Sequence, residues 1–143
     1  MAHLDHLIMV GAVVVIAGCA GRAPSTAPSP SCAIGDTALV RDVLYFGRNR
    51  PGGGAVTDVE WQSFLDQVLT PRFPAGLTVV AATGQWKGKS GLVEQERSEV
   101  VTVFHSGDEA ARRAVMEAVV EYKRRFRQEA VLRERMPTCA RFE

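Results

Sequence analysis

Thr70-Pro71-Arg72-Phe73-Pro74-Ala75-Gly76-Leu77 sets the phase of the chain, because it stops a helix and starts a strand within eight residues. Pro71 disfavours α geometry at Thr70, and Pro74 does the same at Phe73. Gly76 loosens the backbone just before the apolar run Leu77 to Ala82. Upstream of this corner the pattern is helical. Thr57-Asp58-Val59-Glu60 has the form of a capping box, and Val56 can staple to Trp61 inside the helix. Trp61, Phe64, Leu65 and Val68 then recur at helical spacing as one apolar face, which Pro71 is expected to end. Downstream, a strand is expected from Leu77 to Gln85-Trp86-Lys87.

Working outward, Leu39 to Gly47 is rich in β-branched and aromatic residues and predicts a first strand. The loop Arg48 to Gly54 that follows lacks the lysine and the glycine spacing of a phosphate-cradling loop and reads as a flexible turn. Gly88-Lys89-Ser90 ends like a phosphate loop, but Thr83 stands where its first glycine belongs, and a strand-like run follows instead of a helix. Gly88 to Gly91 is therefore a hairpin tip. Val100 to Phe104 is the third strand, and Ser106-Gly107-Asp108-Glu109 repeats the capping-box pattern at the start of a second helix running to about Glu129. Its inward stripe is Ala111, Val115, Ala118, Val119, Tyr122 and Phe126. The last strand is Val131 to Met136, whose charges and following Pro137 suit an edge.

The resulting order βαββαβ predicts an α+β, ferredoxin-like fold: a four-stranded antiparallel sheet in the order 4-1-3-2 with two helices on one face. This topology gathers the loop after the first strand, the central hairpin and the turn after the second helix at one rim. Tyr45, Arg48, Gln85, Trp86, Arg97, Gln128 and Glu129 become ligand-binding candidates there, with Trp86 as a stacking surface and the arginines as donors to an anionic or polar small molecule. The alternative is a structural network tying the loops together. The strands are apolar on both faces, Val43 and Tyr45 alternating with Leu44 and Phe46, so the uncovered face is expected to meet a second copy in a homodimer.

The chain of 143 residues with a net charge of +1 supports one folded domain and gives no reason to expect nucleic acid. The basic run Lys123 to Arg127, balanced by Glu117, Glu121 and Glu129, reads as a solvated helix face. Lone His105, with no Cys, Asp or Glu at ligand spacing, is poor material for a metal, and no motif calls for a cofactor.

The amino terminus reads as an address. Leu7 to Gly18 is an apolar run of about a dozen residues, short of the roughly 20 that span a bilayer, and reads as a signal h-region. The six residues before it carry no Lys or Arg. Ile16-Ala17-Gly18-Cys19 resembles the lipobox of bacterial lipoproteins, which implies cleavage before Cys19 and its attachment to acyl chains such as palmitate. An uncleaved anchor or an ordinary signal peptide is the alternative. Residues 1–18 are thus a signal peptide, 19–37 a lipidated cysteine and a Pro/Ser linker holding Pro24, Pro28 and Pro30, and 38–143 the domain. Buried acyl chains contribute about 0.8 kcal/mol per CH₂. Ala20 after the cysteine resembles the outer-membrane sorting pattern of Gram-negative bacteria, so the domain would face the periplasm or the cell exterior.

Outside the cytoplasmic membrane disulfides persist, and Cys32 and Cys139 are expected to pair because the topology places the first and last strands side by side. Closing a loop of about a hundred residues stabilises by about 4 to 5 kcal/mol in the chain-entropy model. Two free buried thiols are the alternative.

Four motifs in order, Leu44-Tyr45-Phe46-Gly47-Arg48, Thr70-Pro71-Arg72-Phe73-Pro74 with Gly76-Leu77-Thr78, Gly84-Gln85-Trp86, and Tyr122-Lys123 through Arg125-Phe126 to Gln128-Glu129, resemble domain-of-unknown-function family 3574 over about residues 40 to 135. The resemblance implies a small bacterial protein, often secreted or lipidated, with no assigned activity and no catalytic residue to carry over. The leading expectation is a non-enzymatic envelope lipoprotein binding a ligand or partner. The competing one is a small-molecule enzyme of the dimeric α+β barrel kind, with Tyr45, Arg48, Arg97 and Glu129 as its actors.

Overall fold

The computed structural model describes residues 31–87 and 91–143. The signal segment, Cys19, the linker as far as Pro30 and the hairpin tip at 88–90 lie outside the described residues. Four strands, β1 (Thr37–Gly47), β2 (Thr78–Lys87), β3 (Val93–His105) and β4 (Leu132–Ala140), form one antiparallel sheet in the order β2-β3-β1-β4, the expected arrangement read from its other edge. β2 and β3 pair as a hairpin out to Lys87 opposite Val93, which is not the strand-to-helix setting of a phosphate loop. Among the described residues no helix is long and apolar enough to cross a membrane.

The first helical element starts as its sequence dictates. Thr57 accepts from the Glu60 N–H at 3.2 Å, and Glu60 accepts from the Thr57 N–H at 2.9 Å. The helix does not stop at Pro71. α1 (Asp58–Phe64) passes into a π-helical segment (Leu65–Leu69) and then α2 (Thr70–Arg72), and the chain leaves helical geometry only at Phe73 (φ −124°, ψ 63°). The Thr70 N–H reaches back five residues to the Leu65 carbonyl. This widened turn makes room for the proline ring, which a regular helix would press against a carbonyl one turn back. The Val68 carbonyl takes a hydrogen bond from the Arg72 guanidinium at 3.0 Å instead.

The long helix α3 (Glu109–Phe126) is capped by the Asp108 carboxylate, which accepts the Ala111 N–H at 2.8 Å. It ends three residues before Glu129, because Arg127 turns left-handed (φ 55°) and closes the last turn on the Lys123 carbonyl. Two strands outrun their apolar cores. β3 begins at Val93 rather than Val100, and β4 continues through Pro137, which an edge strand tolerates. The Cys32–Cys139 disulfide is formed, with 5.6 Å between Cα atoms, and joins β4 to the segment ahead of β1.

All helical elements lie over one sheet face. Leu44, Phe46, Val101 and Val103 meet Phe64, Leu69, Val115, Ala118 and Tyr122, all fully buried. Tyr122 is the hub. Its ring lies 4.7 Å from Phe46, 5.0 Å from Phe64 and 4.8 Å from Phe126, edge-on in each case. Its hydroxyl donates to the Gly47 carbonyl at 2.8 Å, pinning α3 to the end of β1, and burial pushes its pKa well up. On α3's outer face, Arg112 pairs with Glu109 and Arg124 with Glu121, as expected of a solvated helix.

Candidate functional site

The uncovered face carries one side of each strand's alternation. β1 contributes Val43, Tyr45 and Gly47, β2 contributes Val80, Ala82, Gly84 and Trp86, β3 contributes Glu94, Glu96, Ser98 and Val100, and β4 contributes Leu132 and Glu134. At one end of this face a cleft of about 670 Å³ opens. Its walls are the loop Asn49–Gly54, the strands around Trp86 and Glu94, and the turn Gln128–Ala130. A hydrogen bond from the Gln128 side chain to the Asn49 carbonyl, 2.6 Å, holds two of these walls together.

The floor is built around Glu96. It lies opposite Gly84 on β2 and across Gly47 of β1, so close that a Cβ on Gly47 would sit 2.5 Å from a Glu96 carboxylate oxygen. The Asn49 backbone N–H donates to that carboxylate at 3.2 Å. Glu94 stands directly across from Trp86, a residue 44% exposed. On the far wall the Tyr45 hydroxyl donates to Glu134 at 2.7 Å. That bond, with the neighbouring negative charge, holds the phenol pKa above its ordinary value, so Tyr45 stays protonated.

Tyr45, Gln85, Trp86, Gln128 and Glu129 line the cleft together. Arg48 and Arg97 do not. The alternation of β1 continues past Gly47 and turns Arg48 to the helix-covered side, where it is 2% exposed, donates to the Val56 carbonyl at 2.7 Å and pairs with Glu99 and Asp58. Arg97 also reaches towards Asp58, at 3.4 Å. The Arg48 hydrogen bond and then the Arg97 charge hold the Asp58 pKa below the carboxylate norm. Arg50 lines the cleft, but its guanidinium is paired with Glu60 at 2.7 Å and lies over Phe126. Glu94, Glu96 and Ser98 are among the lining residues that reading the sequence passed over. Their signal was present: from Glu94 onward every second residue faces Trp86, Gly84 and Ala82 across the hairpin.

A second polar cluster lies on the covered side. Asp42, fully buried, accepts from Arg133 Nε and Nη2 at 2.9 Å each and faces His105 Nε2 at 2.7 Å. The Gly107 N–H donates to His105 Nδ1, so Nε2 carries the proton and donates to Asp42. These groups satisfy one another inside the fold.

The chain belongs to the family described as "Protein of unknown function (DUF3574)", whose pattern matches residues 41–142. Among solved structures it is similar to a phage SAM lyase in complex with S-methyl-5'-thioadenosine, at 18% identity and a TM-score of 0.57 over 76% of this chain and 88% of that one. The phage SAM lyase in its apo state matches at 17% identity and a TM-score of 0.54, over 74% and 91% of the two chains. CutA from Synechococcus elongatus matches at 10% identity and a TM-score of 0.48, over 73% and 82%. At these identities the likeness to the phage protein is one of fold. Among curated proteins none matches the chain in sequence.

Proposed function

We propose that this protein is a lipid-anchored envelope protein whose single domain binds a small polar molecule in the cleft without transforming it. The observation that carries the binding reading is the cleft itself: a stacking ring, three carboxylates and amide groups converge on one volume, the usual make-up of a small-molecule site. Tyr45, held protonated by Glu134, acts there as part of the wall. The Cys32–Cys139 bond supports an oxidising compartment and, with the lipobox at Cys19, an envelope address facing the periplasm or the cell exterior. Exposed Val80, Phe104, Leu132 and Met136 support a homodimer through the uncovered sheet face.

Two measurements test this. Cells fed labelled palmitate should label the wild-type protein and not Cys19→Ser; label on both, or on neither, removes the anchor. A thermal-shift screen of metabolites should return ligands whose effect Trp86→Ala abolishes, and a screen in which no hit depends on Trp86 removes the cleft as the site.

The competing enzyme reading gains support from one observation, the fold shared with a phage SAM lyase. Incubation with SAM followed by chromatography separates the two readings. Release of S-methyl-5'-thioadenosine that Tyr45→Phe or Glu96→Gln abolishes would make the protein an enzyme, and an unchanged substrate favours the binding module.

A further inference from the structure

Among the described lining residues, Glu94 and Glu96 are carboxylates, while the one guanidinium, Arg50, is paired with Glu60. Arg48 and Arg97, which a topological argument would place at this rim as anion donors, are drawn to Glu99 and Asp58. Among the described residues no ion pair engages Glu94 or Glu96. Glu96 is not a swinging surface carboxylate. It is half-buried, laid across Gly47 in space that any side chain there would fill, and fixed by the Asn49 N–H. Beside it, half-exposed Trp86 sits directly opposite Glu94 in the hairpin register. An oriented carboxylate next to an accessible indole attracts a positive centre twice, by charge and by the ring quadrupole, and repels an anion.

We propose that the cleft takes a small organic cation, an amine, quaternary ammonium or sulfonium centre carried on an apolar or planar body, seated between Trp86 and the Glu94–Glu96 pair. This rests on the binding reading above and narrows its ligand class from anionic or polar to cationic. Weak contacts suffice for a selective site here, because the carboxylate is already positioned and little ordering is left for binding to cost.

The test titrates the ¹⁵N-labelled full chain with benzyltrimethylammonium and, separately, with benzenesulfonate. The cation should saturate shifts at the Gly47, Gly84 and Glu96 amides. Glu96→Gln should weaken it about tenfold, the loss of one charge-assisted contact, and Trp86→Ala by about three- to tenfold. Raising the salt from about 50 mM to about 500 mM should weaken it further. Unperturbed amide spectra outside the cleft check that each variant is folded, and Glu94→Gln gives an independent charge removal. Tighter saturation by the sulfonate at the same amides overturns the cation assignment and leaves the binding reading standing, whereas cation binding that none of the three variants weakens overturns the assignment to this cleft. If neither probe moves those amides, both fall.

Discussion

The two faces of this sheet are made by the same strands and obey opposite rules. On the covered face the buried charges are answered inside the fold: Arg48 by Glu99 and Asp58, Asp42 by Arg133 and His105. On the open face Val80, Trp86, Phe104, Leu132 and Met136 stay exposed, and Glu94 and Glu96 meet no cation among the described residues. β1 shows the division within a few positions. Asp42, Leu44, Phe46 and then Arg48 build the closed interior, while Tyr45 and Gly47 belong to the cleft. Buried charge is concentrated on one side and the proposed site on the other, and substitutions can show how cleanly they are separated.

The largest effect is expected from Arg48→Met. It removes the cation from a buried pair and leaves Glu99, 6% exposed, without its partner. Breaking such a pair costs about 3 to 5 kcal/mol, whereas removing both charges together costs much less. Urea unfolding should therefore show a large loss for Arg48→Met and a partial recovery in Arg48→Met with Glu99→Leu. A single-variant loss below about 1 kcal/mol would mean that the covered face does not depend on its charges.

Acid should act on the covered side next. Burial works to raise the Asp42 pKa, but the Arg133 and His105 hydrogen bonds and the Arg133 and Arg135 charges outweigh it and bring the group below its ordinary 3.8. The Thr57 backbone N–H, then Arg50 and the Thr57 hydroxyl, bring Glu60 from 4.5 down to about 2. A lowered folded pKa means a contribution that is complete above the unfolded value and lost as pH falls through the folded one. Unfolding free energy should thus be flat above about pH 5 and fall from there towards pH 2. Asp42→Asn should be less stable at neutral pH by about 1 to 3 kcal/mol and show a shallower acid slope. An unchanged slope would remove Asp42 from the account.

The sheet order, the α1 capping box, the α3 stripe and the disulfide were legible because each follows from short-range pattern or from topology, whereas the second capping box does not form: Asp108 and not Ser106 caps α3. Pro71 misled because the remedy for its ring is a widened turn and the side chain of Arg72, neither of which any propensity records. The first half of β3 was missed because Glu94 to Glu99 has no apolar alternation: its outer side faces a cleft and water, and its pairing with β2, joined by β1 only at Ser98 and Glu99, makes it a strand. Arg48 was placed at the rim because it follows a strand-ending glycine. Counting parity from Leu44 and Phe46 sends it to the interior, and that count is the stronger argument.

Gly47 is where the two faces touch, and it yields the smallest effect expected on stability. Its carbonyl accepts the Tyr122 hydroxyl on the covered side, and its missing side chain admits Glu96 on the open side. Its backbone is not in the left-handed region, and the atoms a Cβ would meet are the terminal carboxylate of Glu96 rather than backbone. Gly47→Ala should therefore change unfolding free energy by no more than about 0.5 kcal/mol, with the lowered entropy of the unfolded chain offsetting the displaced contact. The cost should appear in the cleft, as a several-fold loss of benzyltrimethylammonium affinity when Glu96 is lifted off its seat. Tyr122→Phe should do the reverse, costing about 1 kcal/mol of stability with affinity unchanged. If Gly47→Ala destabilises the fold more than Tyr122→Phe does, the open face is holding the structure together as well as presenting a site, and the division between the two sides fails at the residue they share.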